Sequence, residues 1–457
     1  MAKFSGFLLI PVYARVFSAP EFGVLELVVT LVKFLLFVCN LEIYTSIGRY
    51  FHDKNTVESK ATLISTGLII TLGSTVLVIL CAYAGRDWFA GGYLKDTALN
   101  INFDFIFLWL LIEALATYVS VIPRYENKPK LFVMISTIAL FARVSSTLIF
   151  VLIFELGLNG VLLGHVVGAS VTLTLNCLVS KKYFRLIFSL ADARNITTFA
   201  LPIVPGVLLI GFWSPLSREL VSNFYSLYTL GLLAFAFRIA SVLEILNGAV
   251  RAAWYPLVFE ESKNTNFKKN IEDISILMGT LTFTLVIVLT LLSPEISFHI
   301  GSEKYVESAI LIGFLSLAFV YEMLKKMRGF SPLLRNKTIY LTYVELIGVI
   351  IGSLSLYFFK HLGLLGVGLA FLIPAFIKCS ILTCYTMLRE KITLFHKHEG
   401  FFLALFSLSV FMVSVEAKLL ARVLIIAVTF LGMLLVLEKK LKFYTKAQIY
   451  LNGMLRK

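Results

Sequence analysis

Seven basic side chains sit where an apolar sequence rarely tolerates them. Arg15, Lys33, Arg143, Arg238, Arg251, Lys378 and Arg422 all fall inside long apolar runs, and so do the acids Glu26, Glu42, Glu113, Glu244, Glu322 and Glu345. On insertion scales a charge at the centre of an apolar helix costs at least about 2.5–3.5 kcal/mol, so each needs an opposite charge or a wet cavity. Helical spacing sorts them. Glu26, Thr30, Lys33, Phe37, Asn40 and Tyr44 recur at three- and four-residue steps and form one polar-aromatic stripe. Glu244, Asn247 and Arg251 form a second, with Arg238 and Ser241 adjoining. Arginine suits phosphoryl oxygens through bidentate geometry and lysine suits them as a point charge. Asparagine, tyrosine and tryptophan suit polyhydroxylated rings. The spacing leaves a second reading open, in which buried Glu–Lys and Glu–Arg pairs only hold helices together. Lys378 and Arg422 lie near run ends or in the later runs, where snorkelling fits as well.

Other chemistry is poorly supported. Cys39, Cys81, Cys177, Cys379 and Cys384 each lie inside an apolar run, with no CxxC or Cys/His cluster to hold a metal or frame disulfides. His165 sits in an apolar helix, where helix packing is its commoner role. Asn195-Ile196-Thr197 matches a glycosylation sequon but falls in an expected cytoplasmic loop and is set aside. No nucleophile–His–acid spacing occurs, and no cofactor is expected.

The elements that must position these residues are membrane spans. The chain has 457 residues, of which 59% are hydrophobic and only 15% charged, and its mean hydropathy is +0.89. A soluble domain is nearer a quarter charged. A bilayer core about 30 Å thick needs about 20 apolar residues per helix, and such runs follow one another from end to end. Reading them between polar breaks gives fourteen spans: 4–17, 23–48, 61–84, 103–122, 131–154, 157–180, 196–217, 228–257, 271–292, 306–324, 338–359, 363–388, 399–416 and 419–437. No signal peptide with a cleavage site is expected ahead of them. The longest loop on the expected external side, 85–102, is too small for a catalytic domain.

Placing the N-terminus in the cytoplasm puts 28 Lys and Arg in cytoplasmic loops and the tail, against 6 outside. That bias orients both termini to the cytoplasm. It also accounts for the net charge of +14, which is spread over many short loops, so nucleic acid is not indicated.

The chain repeats itself. "LGLNGVLLG" at 156–164 returns as "LGLLGVGLA" at 362–370, and "FGVLELVV…" from Phe22 aligns with "LGLLAFAF…" from Leu230 at nearly the same offset. "YENKPK" at 125–130 pairs more weakly with "LRNKTI" at 334–339. Six spans separate the copies, so both enter the membrane the same way, as parallel repeats do. The expectation is an all-α polytopic membrane protein of about 14 transmembrane helices. They form two pseudo-twofold-related six-helix lobes (1–180 and 196–388) joined by a cytoplasmic linker (181–195). A terminal helix pair and basic tail (389–457) follow. The two stripes lie on equivalent helices and would face a cavity near the midplane.

"IPVYARVFSAPEFGVLELV" (10–28), "RYENKPKLFVMIS" (124–136), "LPIVPGVLL" (201–209) and "YTLGLLAFAFRIASVL…AAWYPLVFEE" (228–261) resemble the Wzx-type flippases of bacterial polysaccharide biosynthesis, relatives of the multidrug and toxin extrusion transporters. The resemblance runs in order along nearly the whole chain, and departs from the family in a short first span. It implies alternating access and translocation of an undecaprenyl-diphosphate-linked oligosaccharide across the bacterial inner membrane, for O-antigen, capsule or exopolysaccharide. A polysaccharide polymerase and a chain-length regulator are the implied partners. The expected substrate-binding residues are Arg15, Lys33, Asn40, Arg143, Arg238, Glu244, Asn247 and Arg251. The alternative is a cation-coupled multidrug antiporter, which needs a cavity carboxylate poised to exchange H⁺ or Na⁺. An enzyme is not expected.

Overall fold

The computed structural model describes residues 9–93, 101–185, 187–244, 248, 254, 258, 267–335, 337, 339–394 and 397–441. Among them there are helices and no strand. The chain divides into two compact units, Met1–Asn223 and Phe224–Lys457.

In the first unit the helices are α1 (Ile10–Val16), α2 (Ala19–Asn40), α3 (Ile43–Phe51), α4 (Val57–Ala84), α5 (Phe103–Val119), α6 (Ile122–Tyr125), α7 (Pro129–Leu148), α8 (Gly157–Val179), α9 (Leu190–Ala200) and α10 (Val204–Phe224). In the second they are α11 (Leu227–Ala240), α12 (Phe267–Leu291), α13 (Ser293–Gly301), α14 (Ala309–Arg328), α15 (Ser331–Leu334), α16 (Ile339–Phe358), α17 (Leu364–Glu390), α18 (Lys397–Ser414) and α19 (Leu419–Leu441). Ten are long and apolar enough to cross a bilayer, or eleven if α9 and α10 are one bent span. Helices α1, α11 and α18 lie in the three remaining expected spans, 4–17, 228–257 and 399–416, but are not among the helices long enough to cross. The outward faces of the long helices carry bare apolar side chains, such as Leu80 at 61% and Leu424 at 62% exposure. Water would penalise such surface and lipid does not.

Duplication is visible in the packing within each unit. Helix α8 packs on α7 and α5, α5 on α4 and α2; in the second unit α17 packs on α16 and α14, α14 on α12 and α11. Ser18 caps α2 by accepting the Glu21 N–H at 3.4 Å, and Ser226 caps α11 by accepting the Thr229 N–H at 3.0 Å. The repeated phrase marks the same junction twice. Gly157 and Gly363 turn the chain with φ of +56° and +57°, a region that disfavours a Cβ. Three residues later, Gly160 and Gly366 let α8 and α17 lie against the backbone of Phe150 and Phe359. Between membrane helices, small residues at such contacts supply the packing that the hydrophobic effect cannot.

Three departures from the expected spans have local causes. The run 23–48 breaks after Asn40, because Leu41 and Glu42 both take left-handed backbone, with φ of 44° and 54°. The run 196–217 is a pair of helices bent by 50°, with Pro202 and Pro205 at the bend removing two backbone donors. The run 306–324 continues as helix to Arg328, so Lys325, Lys326 and Arg328 are helical, not loop, residues.

Candidate functional site

A cavity of about 530 Å³ opens inside the first unit. One wall is the stripe on α2: Thr30, Lys33, Phe34, Phe37 and Asn40 line it. The break after α2 adds Glu42 and Tyr44, α5 adds Thr117, and Val207, Gly211 and Ser214 form the α10 side. These three α10 positions recur at steps of four and three, so a single face of that helix meets the space. Gly211 matters for room, since a Cβ there would stand 3.0 Å from the Phe37 ring. Phe34 and Phe212 pack with ring centroids 5.7 Å apart. Of the described lining residues, Lys33 is the cation and Glu42 the carboxylate.

The polar groups at the Asn40 end are unevenly satisfied. Asn40 donates through Nδ2 to the Leu36 carbonyl at 2.9 Å. Its Oδ1 is buried without a partner among the described residues. Leaving a buried acceptor unmade costs about 1–3 kcal/mol. The adjoining left-handed pair, Leu41 and Glu42, is strained, at about 1–3 kcal/mol per residue for side chains other than glycine. Glu42 is held in place by its neighbours, Tyr44 donating to Oε1 at 2.8 Å and Thr45 to Oε2 at 2.6 Å. The Tyr125 hydroxyl secures the turn by donating to the Tyr44 carbonyl at 2.6 Å.

At the other end of the stripe, Glu26 is engaged. Arg218 of α10 reaches its Oε1 with Nε at 3.4 Å and Nη2 at 3.5 Å, and donates through Nη1 to Ser217. Both side chains are buried. The expected span 196–217 stops one residue before Arg218. Arg218 continues the 207–211–214 face of α10 by one more step of four, and that periodicity was the available signal.

The other expected site residues are dispersed. Arg15 is exposed on α1. Arg143 on α7 pairs with Glu113 of α5 at 3.3 Å, and Trp109 also donates to Glu113 at 3.1 Å while its ring stacks on His165 at 4.2 Å. Neither Arg15 nor Arg143 is among the residues lining the cavity. Arg238 is half-buried near the end of α11, and Glu244 follows the turn at Ser241, both in the second unit. Asn247 and Arg251 lie outside the described residues.

In the second unit several of the described intramembrane charges are paired. Lys325 and Lys378 each bridge Glu322 and Glu345, closing a four-membered ring between α14, α16 and α17. Arg328, 1% exposed, meets Glu399 with two hydrogen bonds of 3.2 and 2.5 Å. Arg422 meets Glu295 at 2.6 and 3.0 Å and also donates to the Leu291 carbonyl. Snorkelling is therefore not how Lys378 and Arg422 are accommodated.

Outside the spans, Glu126 gathers Lys128 at 2.9 Å, the Tyr183 hydroxyl at 2.7 Å, and Lys182. Burial alone would push its carboxyl up, but these donors prevail and hold it down at about 2. Ser65 and Thr66 of α4 accept the backbone N–H groups of Arg185 and Ser189, and Lys54 pairs with Asp192 at 2.8 Å. The segment 181–195 is thus bonded onto the first unit.

The site has recognisable company. A family model described as polysaccharide biosynthesis protein matches residues 1–262. A search of curated proteins found no match. Among solved structures the chain is similar to the Lipid II flippase MurJ in an inward closed conformation, with 16% identity, a TM-score of 0.70, and 96% of this chain and 97% of that one covered. It is also similar to an inward-facing multidrug resistance MATE family transporter of the MOP superfamily, with 13% identity, a TM-score of 0.72, and 85% and 94% covered. A Vibrio cholerae MATE transporter, VcmN, matches at 12% identity and a TM-score of 0.58, covering 85% and 93%. Identities this low speak for the fold alone. The family model spans more than half of the 457 residues, and the chain belongs to the polysaccharide biosynthesis protein family.

Proposed function

We propose that this protein is a flippase that carries undecaprenyl-diphosphate-linked oligosaccharide repeat units across the bacterial inner membrane by alternating access. Both termini are then cytoplasmic, and the product feeds O-antigen, capsule or exopolysaccharide synthesis beside a polymerase and a chain-length regulator. The observation that carries this reading is the α2 stripe, with Lys33 and Asn40 on the wall of a cavity of about 530 Å³. An ammonium there suits the diphosphate, while the polar-aromatic wall suits sugar. The family match and the likeness to a Lipid II flippase support it.

The antiporter reading fits less well. It needs a carboxylate ready to exchange a cation, whereas Glu26 of the α2 stripe is already engaged by the Arg218 guanidinium. The test is translocation of a fluorescent undecaprenyl-diphosphate-linked sugar in proteoliposomes. Lys33→Ala should slow it about tenfold or more, the effect of losing one hydrogen bond from a charged group, and Lys33→Arg should retain most of the rate. Wild-type rates in both Lys33→Ala and Lys33→Glu would overturn the reading.

A further inference from the structure

The two ends of the α2 stripe have opposite hydrogen-bonding character. Lys33 can only donate. Seven residues along the helix, about 10 Å at 1.5 Å per residue, the cavity offers acceptors. Asn40 gives one amide hydrogen to the Leu36 carbonyl and keeps Oδ1 unpartnered among the described residues, although the residue is only 3% exposed. Glu42 receives one donor on each oxygen, and a carboxylate has about four acceptor sites, so each oxygen retains capacity. The left-handed Leu41–Glu42 pair is what brings this carboxylate to the lining, next to Asn40. Strain of this kind persists where surrounding structure enforces it, and clusters at ligand sites.

We propose that the Asn40–Glu42 end of the cavity is a specificity subsite for a sugar ring close to the diphosphate, and that it reads hydrogen-bond donors: hydroxyl groups or an N-acetamido N–H. A ligand matching the cavity carries an anion at one end and donors about 10 Å away, the span of roughly two helical turns. A bare diphosphate offers a contact to Lys33 and none to the Asn40–Glu42 end. A sugar lacking donors leaves the buried Asn40 oxygen unmade, and sites built to accept from a substrate hydroxyl reject analogues without it. This inference rests on the flippase reading and adds which residues discriminate among its substrates.

The test measures dissociation constants of the purified full-length protein in detergent for three probes: undecaprenyl diphosphate, the same lipid carrying N-acetylglucosamine, and that glycolipid with its sugar permethylated. Wild type should bind the glycosylated probe about tenfold more tightly than the bare lipid, and permethylation should abolish the gain. Asn40→Leu and Glu42→Gln should each lose the gain, so that the ratio between the glycosylated and bare probes falls to about one. Lys33→Ala should weaken all three probes. An unchanged sugar-dependent ratio in both Asn40→Leu and Glu42→Gln, or undiminished binding of the permethylated probe, overturns the subsite. Failure of wild type to bind the bare or the glycosylated lipid would instead overturn the flippase reading beneath it.

Discussion

Removing Lys378 should unbalance the charge ring of the second unit, and the cost can be worked from its geometry. The Lys378 Nζ stands 2.5 Å from Glu322 Oε1 and 2.9 Å from Glu345 Oε2, and its stem crosses Gly348, where a Cβ would come within 2.5 Å of Cδ. Lys378→Met fills a similar volume but leaves Glu322 and Glu345 sharing Lys325 alone. Breaking a buried pair by removing one partner costs about 3–5 kcal/mol, because an uncompensated charge remains. Adding Glu345→Gln removes the surplus charge, so the double variant should recover about 2–4 kcal/mol of that loss. Unfolding in mixed micelles, followed by intrinsic fluorescence for wild type, both single variants and the double, closes the cycle. Coupling between side chains in one network is expected at about 0.5–3 kcal/mol, and this ring should fall at or above the upper end. Additivity within about 0.5 kcal/mol would refute the idea that the four charges act as one unit.

Two further outcomes follow from other parts of the molecule. At Gly366 a Cβ would lie 2.1 Å from the Phe359 carbonyl oxygen, so Gly366→Ala should force α16 and α17 apart and destabilise by about 1–3 kcal/mol, as overpacking does; at Gly73 a Cβ meets nothing, so Gly73→Ala should stabilise by about 0.5–1 kcal/mol in the same unfolding assay. The Glu126 carboxyl is held at about 2 against an ordinary 4.5, so its stabilisation is complete above pH 4.5 and is lost as pH falls from there toward 2. Thermal unfolding of Glu126→Gln should show a shallower loss of stability across that window, and an unchanged slope would mean the Lys182–Glu126 contact contributes nothing.

The span pattern was legible because lipid demands long apolar helices whatever their neighbours are. The duplication was legible for a different reason. Gly157 and Gly363 are forced by backbone conformation, and Gly160 and Gly366 by contact with a preceding carbonyl, so both copies had to keep the same letters. Helix breaks were harder to see. Pro202 and Pro205 announce the α9–α10 bend, but Leu41 and Glu42 carry no turn signature, and neither residue type favours left-handed backbone. That break is held by tertiary bonds, such as the one from Tyr125 to the Tyr44 carbonyl, which connects positions 81 residues apart.

The same limit explains why intramembrane charges could be located and not paired. Periodicity finds a stripe on one helix, and Lys33 and Asn40 of that stripe both line the cavity. Pairing depends on which helix lies opposite. Glu26 finds Arg218 across 192 residues, and Arg422 finds Glu295 across 127. In helices apolar on nearly every face, little in the local pattern says which side meets protein and which meets lipid. What separates a binding charge from a tie between helices is the state of its partner. Lys378 and Arg422 sit against carboxylates within 3 Å, so their charge serves the second unit's own packing. Asn40 keeps a buried acceptor open on the wall of a cavity, and an unmade bond in that position is the stronger sign of a ligand.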